Sequence, residues 1–450
     1  MQGSPSAGET LAAFVATTSW VDLPDAAKRQ TKRALLNFIG CALGASADPA
    51  IGAAVEVLAD VSGPPQAGLI GRHERFDMLS ASTINAIAGN FFDFDDTHLA
   101  TVIHPAAPVA PVALALTERF GASGSDLLMA LALGIEVACR IGNAVSPAHY
   151  TRGWHITATC GVFGAAAAAA RLLGLGPEAG AHALGIAATE SAGLVENLTT
   201  AAKNVGVGNA ARNGILAARM AQAGFAAAPL AIEGPLGWAR AAGDVPDLER
   251  MLGGLGADWE VGANTFKPYP SGIVLHAVAD ACLALLAAHH IDVSAIMSVT
   301  VAGDALLLAR GDRVVSTERD ARVSIQHTAA AALLTGRAGL AEYAPAMAAD
   351  PAVATLRARV RPVLDAALPK GAARVEIALA DGRVLTETVL HARGSLTAPM
   401  SDEEIAAKVA ALAQASSVPV DIEAVIDTVW RLDELEDAGA LCRLVSGGRP

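Results

Sequence analysis

The stretch TATCGVFGAAAAAARLLGL, residues 157–175, says most about the fold. It has the length of a helix, and its alanine run lies between Phe163 and Leu172, which favours a tightly packed buried helix over low-complexity sequence. Apolar stretches of similar length, separated by Gly and Pro, surround it from Asp25 to about residue 260. They cover residues 26–45, 78–94, 106–120, 124–145 and 206–225. We therefore predict that this part of the chain is all-helical.

The composition agrees with a helical protein that contains more than one domain. The chain has 450 residues, of which 53% are apolar and only 4% aromatic. A chain of this length can bury a large core, and its abundant alanine suits close packing of helices. We predict a fold that is mainly α with an α+β part: a large all-helical domain and a smaller α+β lid domain.

The pattern changes after NTFKPYPSG, residues 264–272. One more helix, roughly 272–288, and a helical stretch at 323–336 precede two alternating runs around Asp381 and Gly382, which predict a hairpin. Ser401 with Glu404 three residues later predicts a capped helix, and helices continue to about 433. We therefore expect a helical domain over 1–265, an α+β lid domain over 266–396, and C-terminal helices over 397–450 that return to the first domain.

Several classes of protein are disfavoured. The five cysteines are far apart and never form a C-x-x-C pair, which argues against a disulfide framework, a zinc knuckle or an iron–sulfur cluster and fits a reducing cytoplasm. The N-terminus does not have the pattern of a secretory signal. Charged residues interrupt the most apolar windows, including Glu136 within residues 127–139, so we expect a soluble, cytoplasmic protein without a membrane partner.

The net charge of −13 disfavours nucleic acid and anionic membranes as partners. An anionic small molecule would need a locally basic site. Between residues 33 and 369 the only lysines are Lys203 and Lys267, which makes both of them informative.

The stretch DFDDTHLATVIHP, residues 93–105, concentrates carboxylates and histidines. A helix that starts near 78 and continues through Thr97 would place Asp93 and Thr97 on one face and turn Asp96 away. His104 precedes Pro105 and so lies near the start of the next helix, whose dipole favours the neutral imidazole that a general base needs. The alternatives are a solvated loop and a metal site, although the spacing matches neither an EF-hand nor H-E-x-x-H.

Three further residues are also predicted to lie just before helices: His155, Lys203 and Lys267. Ser271 could cap the helix that carries His276. Each residue alone is explained as well by a structural histidine or a surface lysine. If the helix starts converge, their unpaired N–H groups, together with two lysines and two imidazoles, would form a site for a small polycarboxylate.

The motifs GNFFDFDDTHLATVIHPAAPVAPVALAL, GWHITATCGVFGAAAAAARLLGL, AAKNVGVGNAARNG and NTFKPYPSGIVLHAVADA together resemble the MmgE/PrpD family. This family includes 2-methylcitrate dehydratase, cis-aconitate decarboxylase and iminodisuccinate epimerase. The resemblance extends over essentially the whole chain. It implies a homodimer, a helical domain and a lid domain with the active site between them, and catalysis without a metal or an organic cofactor.

The resemblance also implies site residues. The catalytic group would be Asp93, His104, His155, Lys203 and His327, and the substrate-binding group Thr97, Lys267, Ser271 and His276. Four positions depart from the pattern of many members: Gly206 stands in place of a histidine, His327 in place of the tyrosine of the decarboxylases, and Ser271 and Gly272 in place of frequent cysteines.

The expected chemistry is proton transfer α to a carboxylate of a small di- or tricarboxylic acid, with Asp93 orienting His104 and holding its tautomer. We place a 2-methylcitrate-type dehydratase first and an epimerase of an amino- or iminodicarboxylate second. A cis-aconitate-type decarboxylase comes third, because His327 replaces the tyrosine. A carboxylate-binding relative that has lost catalysis is the remaining alternative.

Overall fold

The computed structural model describes residues 4–447. Helices dominate it, as the composition predicts. The α-helices are α1 (Ala7–Thr17), α2 (Asp25–Ala45), α3 (Pro49–Ala59), α4 (Met78–Gly89), α5 (Ala106–Phe120), α6 (Gly124–Val145), α7 (Ala148–Thr151), α8 (Ile156–Leu172), α9 (Pro177–Thr189), α10 (Ala202–Gln222), α11 (Trp238–Ala242), α12 (Leu248–Leu252), α13 (His276–Ala288), α14 (Ala305–Gly311), α15 (Glu318–Ala321), α16 (Ile325–Thr335), α17 (Pro345–Ala348), α18 (Pro351–Arg357), α19 (Asp402–Ala413), α20 (Ile422–Trp430) and α21 (Gly439–Val445).

The described strands form one larger sheet and two short ribbons. They are β1 (Ala67–Gly68), β2 (Arg75–Phe76), β3 (Thr97–His98), β4 (Asn264–Thr265), β5 (Ile296–Gly303), β6 (Val360–Leu364), β7 (Ala373–Leu379) and β8 (Val384–Val389). Strands β1 and β2 pair with each other, as do β3 and β4, both antiparallel. The larger sheet has the order β6-β5-β7-β8, in which β5 and β6 are parallel and the other pairs antiparallel.

The chain divides into two compact units. The helical unit holds the chain up to Thr265 together with the chain from Ser401 onward, and the mixed unit holds Phe266–Met400. The mixed unit contains the four-stranded sheet and helices α13 to α18. The fold is therefore mainly α with an α+β part.

Helix α8 lies in the core of the helical unit, where it packs against α5, α6 and α10. Its alanine run, residues 165–170, is buried, as the sequence predicts. Small residues are required here because the backbones approach closely: a Cβ atom on Gly164 would lie 2.4 Å from the Gly134 carbonyl oxygen on α6.

Helix α6 corrects the prediction that charged residues break its apolar stretch. The helix continues through Glu136, which is buried and paired with Arg140 at 2.5 Å. Among the described residues, α6 is the one helix that alone is long and apolar enough to cross a membrane. Its most apolar window is completely buried within the fold, and a buried core helix meets the same criterion of length and composition.

The prediction that α4 continues through Thr97 is wrong. The helix ends at Gly89, and Asp93 has a φ of +55°, which is incompatible with a right-handed helix. The polar groups that follow bond outside the helix instead: the Asn90 side chain donates to the Asp95 carboxylate. Short polar side chains compete with helical hydrogen bonds in this way. Asp93 and Thr97 therefore do not share a helix face.

Two of the predicted local features are confirmed and one is wrong. Strands β7 and β8 form the expected hairpin, and Ser401 makes a capping box with Glu404. Ser271, in contrast, does not cap the helix of His276, because residues 273–275 form a 3₁₀ turn before α13. The Leu275 N–H donates to the Gly272 carbonyl in this turn, so backbone groups satisfy the helix entrance.

Candidate active site

Three of the predicted site residues lie at the starts of helices in the helical unit. His104 precedes α5 by two residues, His155 is the N-cap residue of α8, and Lys203 lies in the first turn of α10. The backbone N–H of His104 donates to Thr157 Oγ1 at 3.1 Å, which joins the starts of α5 and α8.

Asp93 connects these helix starts. Its Oδ1 atom accepts a hydrogen bond from Lys203 Nζ at 3.1 Å and lies 3.5 Å from His104 Nε2. The charges of Asp93, His104 and Lys203 all act on the imidazole of His155. The structure thus brings together Asp93, His104, His155 and Lys203, which come from separate parts of the sequence.

The contacts of His104 determine its tautomer. Its Nδ1 atom lies 2.6 Å from the Asp96 carbonyl oxygen, which can only accept a hydrogen bond, so Nδ1 carries the proton. In the neutral ring Nε2 is then the basic nitrogen, and it is the one that faces Asp93. The expectation that Asp93 holds the tautomer is therefore wrong, because the Asp96 carbonyl does so.

Thr97 also contacts His104, although not from a helix. Its Oγ1 atom lies 3.3 Å from His104 Nδ1, and its carbonyl accepts a hydrogen bond from Thr265 Oγ1 at 2.7 Å. The pairing of β3 with β4 thus holds Thr97 beside the imidazole.

Two further carboxylates belong to this group, although neither is among the predicted site residues. Asp95 is buried, and its Oδ1 atom lies 3.5 Å from His104 Nδ1. Asp96 is also buried and accepts hydrogen bonds from the Ala106 N–H at the start of α5 and from Asn264 Nδ2. Burial, and next the charge of Asp95, raises the pKa of Asp96 to about 7. The density of acidic residues at 93–96 was the signal that could have identified both.

His155 is held as a neutral imidazole. Burial lowers the pKa of His155 well below its usual range, and the charges of Lys203 and His104 add to that effect. Its backbone N–H donates to the Gly193 carbonyl. Among the described residues nothing accepts from or donates to its buried Nδ1 atom.

Gly206 lies on α10, one turn after Lys203, and leaves space beside α8. A Cβ atom built there would meet Ala158 Cβ at 3.4 Å and the Gly193 Cα atom at 3.8 Å, which are ordinary contacts. A methyl group therefore fits at this position without displacing α8.

The remaining predicted residues belong to the mixed unit. Lys267, Ser271 and His276 are buried, and His276 Nε2 lies 3.4 Å from the Ser271 carbonyl oxygen. His276 also makes an edge contact with the Tyr269 ring, with centroids 5.5 Å apart. Their assignment to substrate binding stays a prediction.

His327 has a full set of partners within the mixed unit. Its Nε2 atom donates to the Glu342 carbonyl at 2.8 Å, its Nδ1 atom lies 3.5 Å from Arg357 Nη1, and the residue is completely buried. Burial lowers the pKa of His327, so it is a neutral group that packs beside Tyr343.

One group of side chains could hold a metal ion. Asp93, Asp95 and His104 each offer a ligand atom, and these atoms lie within 4.8 Å of one another. One observation opposes this reading: the Lys203 ammonium group already lies 3.1 Å from the Asp93 carboxylate. Metal independence therefore stays our prediction.

The sequence matches two family models that together cover most of the chain. Residues 9–251 match the MmgE/PrpD N-terminal domain and residues 269–432 match the MmgE/PrpD C-terminal domain. The chain therefore belongs to the MmgE/PrpD family.

Similar proteins include three named cis-aconitate decarboxylases. The mouse protein is 28% identical over 94% of this chain and 90% of its own length, and the human protein is 29% identical over 82% and 80%. The protein of Aspergillus terreus strain NIH 2624 / FGSC A1156 is 26% identical over 94% and 93%. These similarities favour the decarboxylase, which the sequence-based order placed after the dehydratase and the epimerase.

Proposed function

We propose that this protein is a lyase that removes carbon dioxide from cis-aconitate or a closely similar tricarboxylate. The observation that carries the proposal is the placement of His104 Nε2 beside Asp93 and Lys203 where the starts of α5, α8 and α10 meet. The similar proteins named cis-aconitate decarboxylases support the choice of substrate.

The helix starts would bind the anionic substrate. The N-terminal N–H groups of helices attract carboxylates. At the start of α10 the ammonium group of Lys203 adds to this attraction. His155, kept neutral by burial, would place no second positive charge beside the substrate carboxylates.

The residues present can carry the proton that the reaction requires. When a carboxylate leaves as carbon dioxide, the C–C electron pair shifts through the double bond towards the carbon next to another carboxylate. That carbon takes one proton, so cis-aconitate and one proton give carbon dioxide and an unsaturated dicarboxylate. His104 would deliver the proton from Nε2, Asp93 would stabilise its imidazolium form, and Lys203 would stabilise the enolate-like charge.

His327 stands in place of the tyrosine of the decarboxylases, and this replacement is compatible with decarboxylation. In the structure His327 is bonded to the Glu342 carbonyl and lies beside Arg357, so the change bears on the packing of the mixed unit. We therefore assign His327 no step in the proposed mechanism.

A dehydratase or epimerase is the second candidate. The Nδ1–H tautomer of His104 leaves Nε2 as a base, and abstraction of an α-proton is the first step of both reactions. The room at Gly206 favours a substrate other than the one used by members that have histidine at this position.

A panel of acids tests the proposal directly. Purified protein would be incubated with cis-aconitate, 2-methylcitrate and an aminodicarboxylate, with proton NMR for products and a coupled assay for carbon dioxide. We expect carbon dioxide from cis-aconitate and a large loss of it in His155→Ala. His289 is an exposed histidine, so the control variant His289→Gln should keep full activity.

Each other result has a defined meaning. Loss of water from a hydroxy acid without carbon dioxide would replace the proposal with the dehydratase. Calorimetric binding of these acids without any product, and without solvent deuterium entering the bound acid, would identify a carboxylate-binding relative.

A further inference from the structure

Lys408 is a buried cation on α19, a helix near the C-terminal end of the chain. Its Nζ atom donates to Asn37 Oδ1 on α2 at 2.7 Å and to the Phe94 carbonyl at 2.6 Å. The same atom lies 3.7 Å from the centre of the Phe94 ring, within the range of a cation–π interaction. Lys408 thus binds the backbone of the acidic stretch that begins at Asp93.

The Phe94 carbonyl directly follows an unusual backbone conformation at Asp93. Asp93 has a φ of +55°, in the left-handed region that residues other than glycine rarely adopt. Such conformations persist only where the surroundings hold them, and they are common at functional sites. In this conformation the Asp93 carboxylate reaches both Lys203 and His104.

Neutral anchors hold the other side of the same turn. Asn90 Nδ2 donates to Asp95 Oδ2 at 2.6 Å, and Asn204 Nδ2 donates to the Asn90 carbonyl at 2.8 Å. Lys408 differs from these amides because it brings a positive charge to the buried stretch, where it also acts on the carboxyl group of Asp96. Without this charge the burial of the carboxylates would cost more free energy.

We propose that Lys408 is a positioning residue of the active site. It holds the Phe94 carbonyl, and through it the left-handed backbone of Asp93, so that the Asp93 carboxylate stays between Lys203 and His104. The kinetic consequence rests on the proposed function, whereas the structural consequence does not.

Lys408→Met tests this role, because methionine keeps most of the apolar stem and removes the charge and the donor. Lys32→Met is the matched control. Lys32 also ties α2 to the C-terminal segment, because its Nζ atom donates to the Trp430 carbonyl at 2.7 Å and to Asp433 at 2.5 Å, both outside the acidic stretch.

Hydrogen exchange measures the structural consequence without a substrate. We expect Lys408→Met to raise the exchange rate of a peptide covering residues 90–97 by about tenfold or more, and Lys32→Met to leave that peptide unchanged. Equal exchange of this peptide in both variants and the wild type would overturn the proposal, even if the protein turned out to have another activity.

Steady-state kinetics measures the second consequence. With a substrate that the wild type converts, we expect Lys408→Met to lower kcat by about 10²-fold while KM changes by less than about threefold, because a displaced Asp93 impairs chemistry more than binding. Lys32→Met should retain wild-type kcat, and Lys408→Arg should recover part of the loss. A rise in KM at constant kcat would contradict the positioning role.

If Lys408→Met does not fold, Lys408→Leu gives the same test, since leucine also removes both the charge and the donor. Wild-type exchange and wild-type kcat in that variant would refute the proposal. If no acid in the panel is converted, the exchange result alone decides on Lys408, so the two proposals can fail separately.

Discussion

His104 in the helical unit and His327 in the mixed unit each bond a backbone carbonyl through one ring nitrogen, but through different nitrogens. Each ring donates one N–H to a backbone carbonyl, at 2.6 Å from His104 Nδ1 and at 2.8 Å from His327 Nε2. The bonded nitrogen differs, so the basic nitrogen of His104 is Nε2 and that of His327 is Nδ1.

The charges beside the two basic nitrogens also differ. His104 Nε2 faces the Asp93 carboxylate, which stabilises an imidazolium, whereas His327 Nδ1 lies near the Arg357 guanidinium, which destabilises one. A side chain that acts as general acid or base must accept and donate a proton. A neighbouring carboxylate favours the protonated imidazole, and a neighbouring guanidinium disfavours it. The two histidines therefore differ in the charge that lies next to the ring nitrogen without a proton.

The largest expected effect separates the two histidines. His104→Gln should lower kcat by about 10²- to 10⁴-fold because the proton carrier is lost. His327→Gln can still donate to the Glu342 carbonyl, so it should change kcat by less than about tenfold and lower the free energy of unfolding by about 1 kcal/mol. Steady-state kinetics and urea unfolding of both variants measure these effects. Comparable losses of kcat in both variants would contradict the different roles proposed for His104 and His327.

The next effect concerns glycines in the core and at the site. Gly164→Ala should destabilise the protein by about 1–3 kcal/mol, because the added Cβ would lie 2.4 Å from a backbone oxygen. Gly206→Ala should stabilise it by about 0.5–1 kcal/mol, because alanine favours a helix and the added Cβ meets only ordinary contacts. Urea unfolding decides between these signs. Destabilisation by Gly206→Ala would show that the space beside α8 is not available to a larger side chain.

A third prediction concerns pH and the residue whose carbonyl holds His104. The pKa of Asp96 is about 7 in the folded protein and 3.8 in the unfolded reference, so its carboxyl binds a proton more tightly when folded. This contribution to stability is complete below about pH 3.8 and is lost as the pH rises through about 7. The free energy of unfolding of the wild type minus that of Asp96→Asn should therefore fall between these pH values. A constant difference in urea unfolding across the range would contradict the assignment.

The smallest expected effect is that of metal removal. Lys203 supplies the positive charge next to Asp93, so dialysis against a chelator should leave activity unchanged. Loss of activity that a divalent ion restores would assign Asp93, Asp95 and His104 to a metal and would give His104 a role different from proton transfer.

Local features of the fold were predictable because adjacent residues decide them. The Ser401–Glu404 capping box and the hairpin around Asp381 and Gly382 depend on groups a few residues apart. The buried alanine helix followed from its composition. The end of α4 was not predictable, because distant residues decide it: Asn204 bonds the Asn90 carbonyl, and Lys408 bonds the Phe94 carbonyl.

Periodicity, caps and motifs are local properties, so the helical class, the family and the residues worth testing could be predicted from the sequence. The folded arrangement brings Asp93, His104, His155 and Lys203 together and adds Asp95 and Asp96 to them. It also places the Asp96 carbonyl where it sets the tautomer of His104. The reason is physical: a tautomer and a pKa depend on the nearest atoms and on burial, and those atoms come from parts of the chain separated by up to hundreds of residues.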